Sequence, residues 1–273
     1  ESSEVAAAGH SDKHAQWVDL QSDVTVADTL RKAGYATGIC GKWQLGKDPA
    51  LPQHFGFDES YLWQHTRRPP RYANPGLEHN GRELDFSNGE YGPKLISDFA
   101  LDFVTRHRAA PFFLYYPMIL THDPFQATPD STGWDPKLKS EQEQRNVKYF
   151  ADMTEYMDKM VGRLVAKLEE LGLRENTLIL FTGDNGTGVQ VTTRFKGADY
   201  KGGKGSPNFS FPSLDVTSGQ NVQRLDAVFN NAGMLGAIGS ITQHTLASWT
   251  STLDVLLNSV FLGIREASRV MIP

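Results

Sequence analysis

The chain has 273 residues, of which 39% are hydrophobic, 22% charged and 11% aromatic, the make-up of a globular protein able to bury a sizeable core. A formal charge of −5 and a sequence pI near 5.9 give no electrostatic basis for nucleic acid or an anionic membrane as the main partner. The single cysteine, Cys40, excludes an internal disulfide framework and a Cys-rich metal site, and the longest apolar run, PFFLYYPMIL, is too short to span a bilayer.

In chain order, residues 1–24 are polar and Ala/Ser-rich and read as a loose lead-in. They show no initiator Met, charged n-region or apolar h-region, as expected of a fragment or of a chain from which a signal was removed. In TVADTLRKAGY, Val26, Leu30 and Ala33 fall at helical spacing and Gly34 can close the helix; YATGIC then reads as a short strand. Residues 66–90 are rich in Pro, Arg and Asn with little periodicity, which predicts surface loop with room for a hairpin. PFFLYYPM is a continuous apolar run of strand length, predicted to be buried on both faces and to end in the polar THDP. The clearest helix is NVKYFADMTEYMDKMVGRLVAKLEELGL. Its apolar residues, from Val147 and Phe150 to Leu168 and Leu171, recur mostly at steps of three and four, and Gly172 fits the C′ position. ENTLILFT follows as the next strand, so helix, turn and buried strand predict an α/β fold with a mainly parallel sheet flanked by helices. After about residue 206 the character changes: KGGKGSPNFSFPS is a Gly/Pro/Ser punctuation zone, followed by a strand signal in RLDAVFNNAG and a helix signal over 247–271. A boundary is placed at 206–212.

The residues that carry chemistry stand mostly at the ends of these elements. Asp184 and Asn185 close the strand LILFTGDNG, at the carboxyl edge where open α/β sheets place their ligands. They read either as a turn, which Asp, Asn and Gly favour, or as two hard-oxygen ligands for Ca²⁺ or Mg²⁺, too few to complete a shell alone. His122 in THDPF follows a buried strand and suits contact with an anion or proton donation, or else a locally satisfied loop position. Lys42 in CGKWQLG, and Lys196 and Lys204 in RFKGADYKGGKG, are cations in Gly-bearing loops that can clamp a tetrahedral anion or simply face solvent. GGKG lacks the spacing of a nucleotide P-loop. Cys40 reads as a buried structural thiol, and His10 and His14, four apart, lack helical support.

Together these segments resemble the sulfatase family of the alkaline-phosphatase-like superfamily. TVADTLRKAGYATGICGKWQLGK is similar to that family's aGYxTgxxGKWHLG signature, HFGFDESY to its GFDxfxG stretch, PFFLYYPMILTHDPF to its PFFLYxxxxxxHxPf strand and loop, and YMDKMVGRLVAKLEELGLRENTLILFTGDNGT to its DxxvGxlxxxLxxxGlxdnTlvxftsDNG. The resemblance covers about residues 24–206 and implies a partial sulfatase-like domain. It implies hydrolysis of the sulfate ester of a small molecule or glycan. Asp184 and Asn185 would be ligands of a divalent cation, usually Ca²⁺, with Lys42 and His122 on the sulfate group. Lys196 is the preferred match to the family's second lysine and Lys204 the runner-up; Lys201 stands where the family has an acid. The family's nucleophile is a formylglycine made from a cysteine or serine in C/S-x-P-x-R. That segment is not found in these 273 residues, the acidic pair of the family's first strand is missing, and Gln44 replaces the His of GKWHLG. The chain as it stands is therefore expected not to turn over a sulfate ester, which leaves a non-catalytic anion- or cation-binding module as the alternative. Family members are often periplasmic, extracellular or lysosomal.

The tail, about 212–273, resembles a fragment of a short-chain dehydrogenase/reductase through its DVT, NNAG and VFLG elements. That implies a partial Rossmann-like βα piece with Asp215, Asn231, Ala232 and Gly233 beside a nicotinamide dinucleotide. The Gly-rich phosphate turn and the Tyr-x-x-x-Lys pair are not found, and Leu256 takes the place of the helix-borne Asn. NAD(P) is therefore not expected to bind.

Overall fold

The computed structural model describes residues 24–138, 143–183, 186–195 and 197–203. The lead-in and the dehydrogenase-like tail lie outside the described residues. The chain divides into two compact units, one ending at Gly172 and the other beginning at Leu173.

The first unit opens with α1 (Val26–Lys32), which starts where Thr25 and Asp28 form a reciprocal capping box and ends before Gly34, whose φ of +88° favours glycine. Ala27 is the buried residue of this helix and Val26 faces outward, so the inward stripe is turned from the one that the apolar spacing suggested. β1 (Ala36–Gly41) follows, then α2 (Leu51–His54), β2 (Glu59–Trp63), β3 (Gly76–His79), β4 (Arg82–Asp85), α3 (Gly92–Arg106), β5 (Phe112–Tyr115) and α4 (Tyr149–Glu170).

The five strands form one sheet in the order β4-β3-β2-β1-β5. β1 pairs in parallel with β2 and β5, whereas β2–β3 and β3–β4 are antiparallel. The sheet is thus mixed rather than mainly parallel. The difference arises in residues 66–90, where a hairpin with Asn80 and Gly81 at positive φ folds back on β2 and adds two antiparallel strands.

Alternation along β1 sends side chains to two sides. Ile39 joins Ala27, Trp43, Phe55, Phe57 and Leu62 in one core cluster, with Leu51 of α2 packed against it. Gly38 lies under Phe103 of α3; a Cβ at position 38 would stand 2.6 Å from that ring, so the glycine lets α3 settle on the strand. The GFD segment locks the start of β1: the Asp58 carboxylate accepts from the Thr37 backbone N–H at 3.1 Å and from its hydroxyl at 2.9 Å. α4 turns Met153, Tyr156, Met160 and Leu168 inward and packs on α3, with Arg163 reaching Asp98 at 2.6 Å and Ser97 at 3.2 Å. Gly172, at φ +68°, ends α4 as its C′ position predicts.

Two strand expectations change. PFFLYYPM yields only the four residues of β5, and these are half-buried or exposed, Tyr115 at 51%, because β5 is the last strand of the sheet. In the second unit no strand forms over 177–183, and Leu178, Leu180 and Phe181 are 61%, 56% and 66% exposed. An apolar run becomes a buried strand only when strands pair along it, and none of the described strands does so here. That unit instead carries the antiparallel hairpin β6 (Thr192–Phe195) and β7 (Ala198–Lys201), turning at Gly197 with φ +83°.

Candidate functional site

Because β1 and β5 pair in parallel, with Ile39 opposite Tyr115, their carboxyl ends lie side by side. Lys42 follows the last residue of β1, and His122 lies in the loop that leaves β5. The two exits are joined by a hydrogen bond from the Lys42 backbone N–H to the Pro117 carbonyl at 2.7 Å. This approach requires the glycine of GKW. Gly41 has φ +127°, and a Cβ there would stand 2.0 Å from the Pro117 oxygen. Lys42 and His122 are both half-buried, so an anion beside them would be partly withdrawn from water, which strengthens its interaction with the Lys42 ammonium.

The His122 ring has a defined orientation. Its Nδ1 lies 2.5 Å from the Asp123 carbonyl, an acceptor, so Nδ1 carries the hydrogen and Nε2 is the atom that gains or loses a proton. The Asp123 carboxylate in turn accepts from Arg145 at 2.6 and 3.2 Å. The fully buried Tyr72 directs its hydroxyl to the His122 carbonyl at 2.5 Å, with the Ile119 carbonyl at 3.1 Å.

Behind Lys42, the buried Trp43 packs at 5.9 Å from Phe55 and 6.2 Å from His65 between ring centres. His65 and Glu78 form a buried pair, Nδ1 to Oε2 3.0 Å, and the same carboxylate oxygen accepts from the His65 backbone N–H at 2.9 Å. The other ring nitrogen lies 3.4 Å from the Asp48 carbonyl, so this pair supports the loop that follows Lys42. Gln44 is exposed, a neutral amide where the motif has an imidazole. Cys40 is fully buried and burial pushes its thiol well above the usual range, which makes it an unreactive structural residue, as its position implied.

The structure therefore brings Lys42 and His122 to one edge of one sheet. Asp184, Asn185, Lys196 and Lys204 lie outside the described residues, as do Asp215, Asn231, Ala232 and Gly233 of the tail and the pair His10 and His14. Lys201 ends β7 with its side chain exposed. Among the described residues, no group of three or more His, Cys, Asp or Glu side chains is placed to hold a metal ion. Sequence reading missed Tyr72, the Asp123–Arg145 pair and the His65–Glu78 pair. No local pattern announces them, since each acts across at least a dozen residues of chain.

A family profile described as Sulfatase matches residues 4–231. The chain belongs to the sulfatase family. The match begins inside the lead-in, ahead of the 24–206 span of the motifs, and runs past the 206–212 boundary as far as Asn231 of the dehydrogenase-like NNAG. Among curated proteins, N-acetylgalactosamine-6-sulfatase of Mus musculus is 28% identical over 236 residues, covering 77% of this chain and 44% of that protein. Arylsulfatase A of Bos taurus is 30% identical over 256 residues, covering 79% of this chain and 48% of that protein. The chain thus spans less than half the length of each of these relatives. Among solved structures, the crystal structure of Ps i-CgsB is 26% identical with a TM-score of 0.46, covering 56% of this chain and 38% of that one.

Proposed function

We propose that the chain carries the sulfate-binding part of a sulfate-ester hydrolase, acting on a sulfated small molecule or glycan. The observation that carries this reading is the convergence of Lys42 and His122 at the carboxyl ends of adjacent parallel strands, fastened by the Lys42–Pro117 hydrogen bond. Family membership and the names of the two relatives supply the reaction class.

In this reading the Lys42 ammonium pairs with a sulfate oxygen as a point charge. His122, its Nδ1–H engaged by the Asp123 carbonyl, presents Nε2 to the same group and donates a proton from that atom when charged. Lys196, with Lys204 as the second choice, is read as the family's second lysine. Asp184 and Asn185 would hold a divalent cation, Ca²⁺ by preference. Their carboxylate and amide oxygens are the right class of donor, though two residues fall short of the six to eight oxygens that Ca²⁺ takes. Such a cation, when bound, supplies Lewis-acid stabilisation of the sulfate charge.

The 273 residues contain no C/S-x-P-x-R, so the chain by itself binds sulfate without turning over an ester. Residues 24–206 are read as the sulfatase-like catalytic-domain fragment and 212–273 as a dehydrogenase-like piece that does not bind NAD(P). Thermal melting with sulfate and Ca²⁺ tests this. A ligand of the native state must raise the melting temperature, and at a hundred times its Kd it adds about 2.7 kcal/mol. The rise with sulfate is expected to vanish in Lys42→Ala and the rise with Ca²⁺ in Asp184→Ala. The absence of any shift in the parent chain at millimolar ligand refutes the reading, and aryl sulfate turnover that Asp184→Ala abolishes refutes the claim of inertness. NADH fluorescence is expected to stay flat on titration.

A further inference from the structure

We propose that Tyr72 and Arg145 are positioning residues for His122, two props that fix the imidazole from opposite ends of its own peptide unit. This rests on the proposed role of His122 in anion binding. Tyr72 is held independently of the loop it supports. Its carbonyl accepts from the Gly92 N–H at 2.8 Å at the start of α3, and its ring stacks on Tyr91 with centres 6.3 Å apart. From that fixed place the hydroxyl meets the His122 carbonyl at 2.5 Å. The peptide plane between His122 and Asp123 is thereby pinned at its oxygen. Arg145 acts on the next residue, gripping the Asp123 carboxylate with two nitrogens at 2.6 and 3.2 Å. Asp123 is also the residue whose backbone carbonyl receives the His122 Nδ1–H at 2.5 Å. With His122 O and the Asp123 side chain both fixed, the Asp123 carbonyl has little freedom, and the ring hydrogen-bonded to it is held in one tautomer and one orientation. The two props come from positions far apart in the chain, and the bonds they make reach the His122 carbonyl and the Asp123 carboxylate, so this influence on the imidazole passes through the backbone.

Long-range ¹H–¹⁵N spectra of the imidazoles, with the His122 signals identified by their loss in His122→Asn, test this. The parent chain is expected to show the Nδ1–H tautomer at His122. In Tyr72→Phe and in Arg145→Gln, the His122 nitrogen shifts are expected to move towards the average of a freely exchanging imidazole while those of the other histidines stay in place. Arg145→Lys is expected to restore the parent pattern in part. Arg145 is half exposed and its replacement leaves the core intact, so it reports even where Tyr72→Phe fails to fold. His122 signals that superimpose on the parent's in folded Arg145→Gln, or in folded Tyr72→Phe, overturn the proposal. A sulfate titration separates it from the functional reading. If sulfate binds the parent, the two variants are expected to bind it about tenfold more weakly; if the parent binds no sulfate while the nitrogen shifts still move, the functional reading fails and the positioning stands.

Discussion

Replacing Gly41 by Ala tests the close approach that brings the two sheet exits together. The new Cβ would lie 2.0 Å from the Pro117 oxygen and 2.8 Å from its carbonyl carbon, where contacts below 3.0 Å essentially do not occur, so one backbone must retreat. That retreat breaks the Lys42–Pro117 hydrogen bond, and leaving its groups unpaired costs about 1–3 kcal/mol. Holding a non-glycine residue at φ +127° adds on the order of 1–3 kcal/mol. The sum, about 2–6 kcal/mol, is a large fraction of the 5–15 kcal/mol typical of a folded domain. Gly34→Ala is the control: its φ of +88° imposes a similar backbone penalty, but nothing lies within 4 Å of the added methyl. Urea unfolding followed by far-ultraviolet circular dichroism is expected to place Gly41→Ala at a clearly lower midpoint than Gly34→Ala, with sulfate stabilisation lost as well. Equal midpoints for the two variants would refute the reasoning, because they would show that the Pro117 carbonyl does not press on Gly41.

Other substitutions probe the supports around this edge. Glu78→Ala removes the buried carboxylate behind Lys42 and is expected to cost about 1–3 kcal/mol in urea unfolding, since it leaves the buried His65 backbone N–H without its acceptor. Gly162→Ala, in the interior of α4 with open space around it, is expected to stabilise the chain by roughly 0.5–1 kcal/mol in the same assay. The hydrogen bond from Arg106 holds the Glu59 carboxyl below its usual value of 4.5, against desolvation and with help from His107. A depressed folded-state pKa means stability that is present above the unfolded value and lost as pH falls through the folded one. The urea midpoint is therefore expected to drop on acidification below about pH 4.5, with a smaller acid-dependent drop in Arg106→Met.

Elements whose information is local were legible in the sequence. α1 is read from its apolar spacing and Gly34, and α4 from its apolar recurrence and Gly172; both helices form and end at those glycines, although α1 buries Ala27 and leaves Val26 exposed. β1 was equally clear, because YATGIC carries strand-favouring residues between a helix stop and the GKW glycine. What failed was inference about partners. LILFT is apolar enough to be an interior strand, yet its hydrophobicity says only that the segment gains by burial, not that a neighbouring strand is there to cover it. PFFLYYPM failed more mildly for the same reason, since Tyr115 lies at the sheet's edge. The hairpin in residues 66–90 is foreseen only as room within a surface loop, without strands or register, because its strands are four residues each and its turn, Asn80-Gly81, sits among many other loop-forming residues.

The same distinction separates the two layers of the candidate site. Lys42 and His122 stand out as candidates because Lys42 follows β1 and His122 lies in the loop that leaves β5, and a parallel sheet places such residues at one edge by its geometry alone. The groups that orient them do not stand out. A buried tyrosine hydroxyl that meets a carbonyl 50 residues away, or a carboxylate that meets an arginine 22 residues away, leaves no periodic or compositional trace. Yet those groups decide which nitrogen of His122 carries its hydrogen. Gly41 shows how the two layers connect. In the sequence it reads as one more loop glycine of GKWQLG, but its missing Cβ is what allows the end of β1, just before Lys42, to meet the loop bearing His122. The geometry of this edge thus depends on a residue with no functional group, and a screen confined to charged side chains would pass over the position where one added methyl group meets the Pro117 carbonyl.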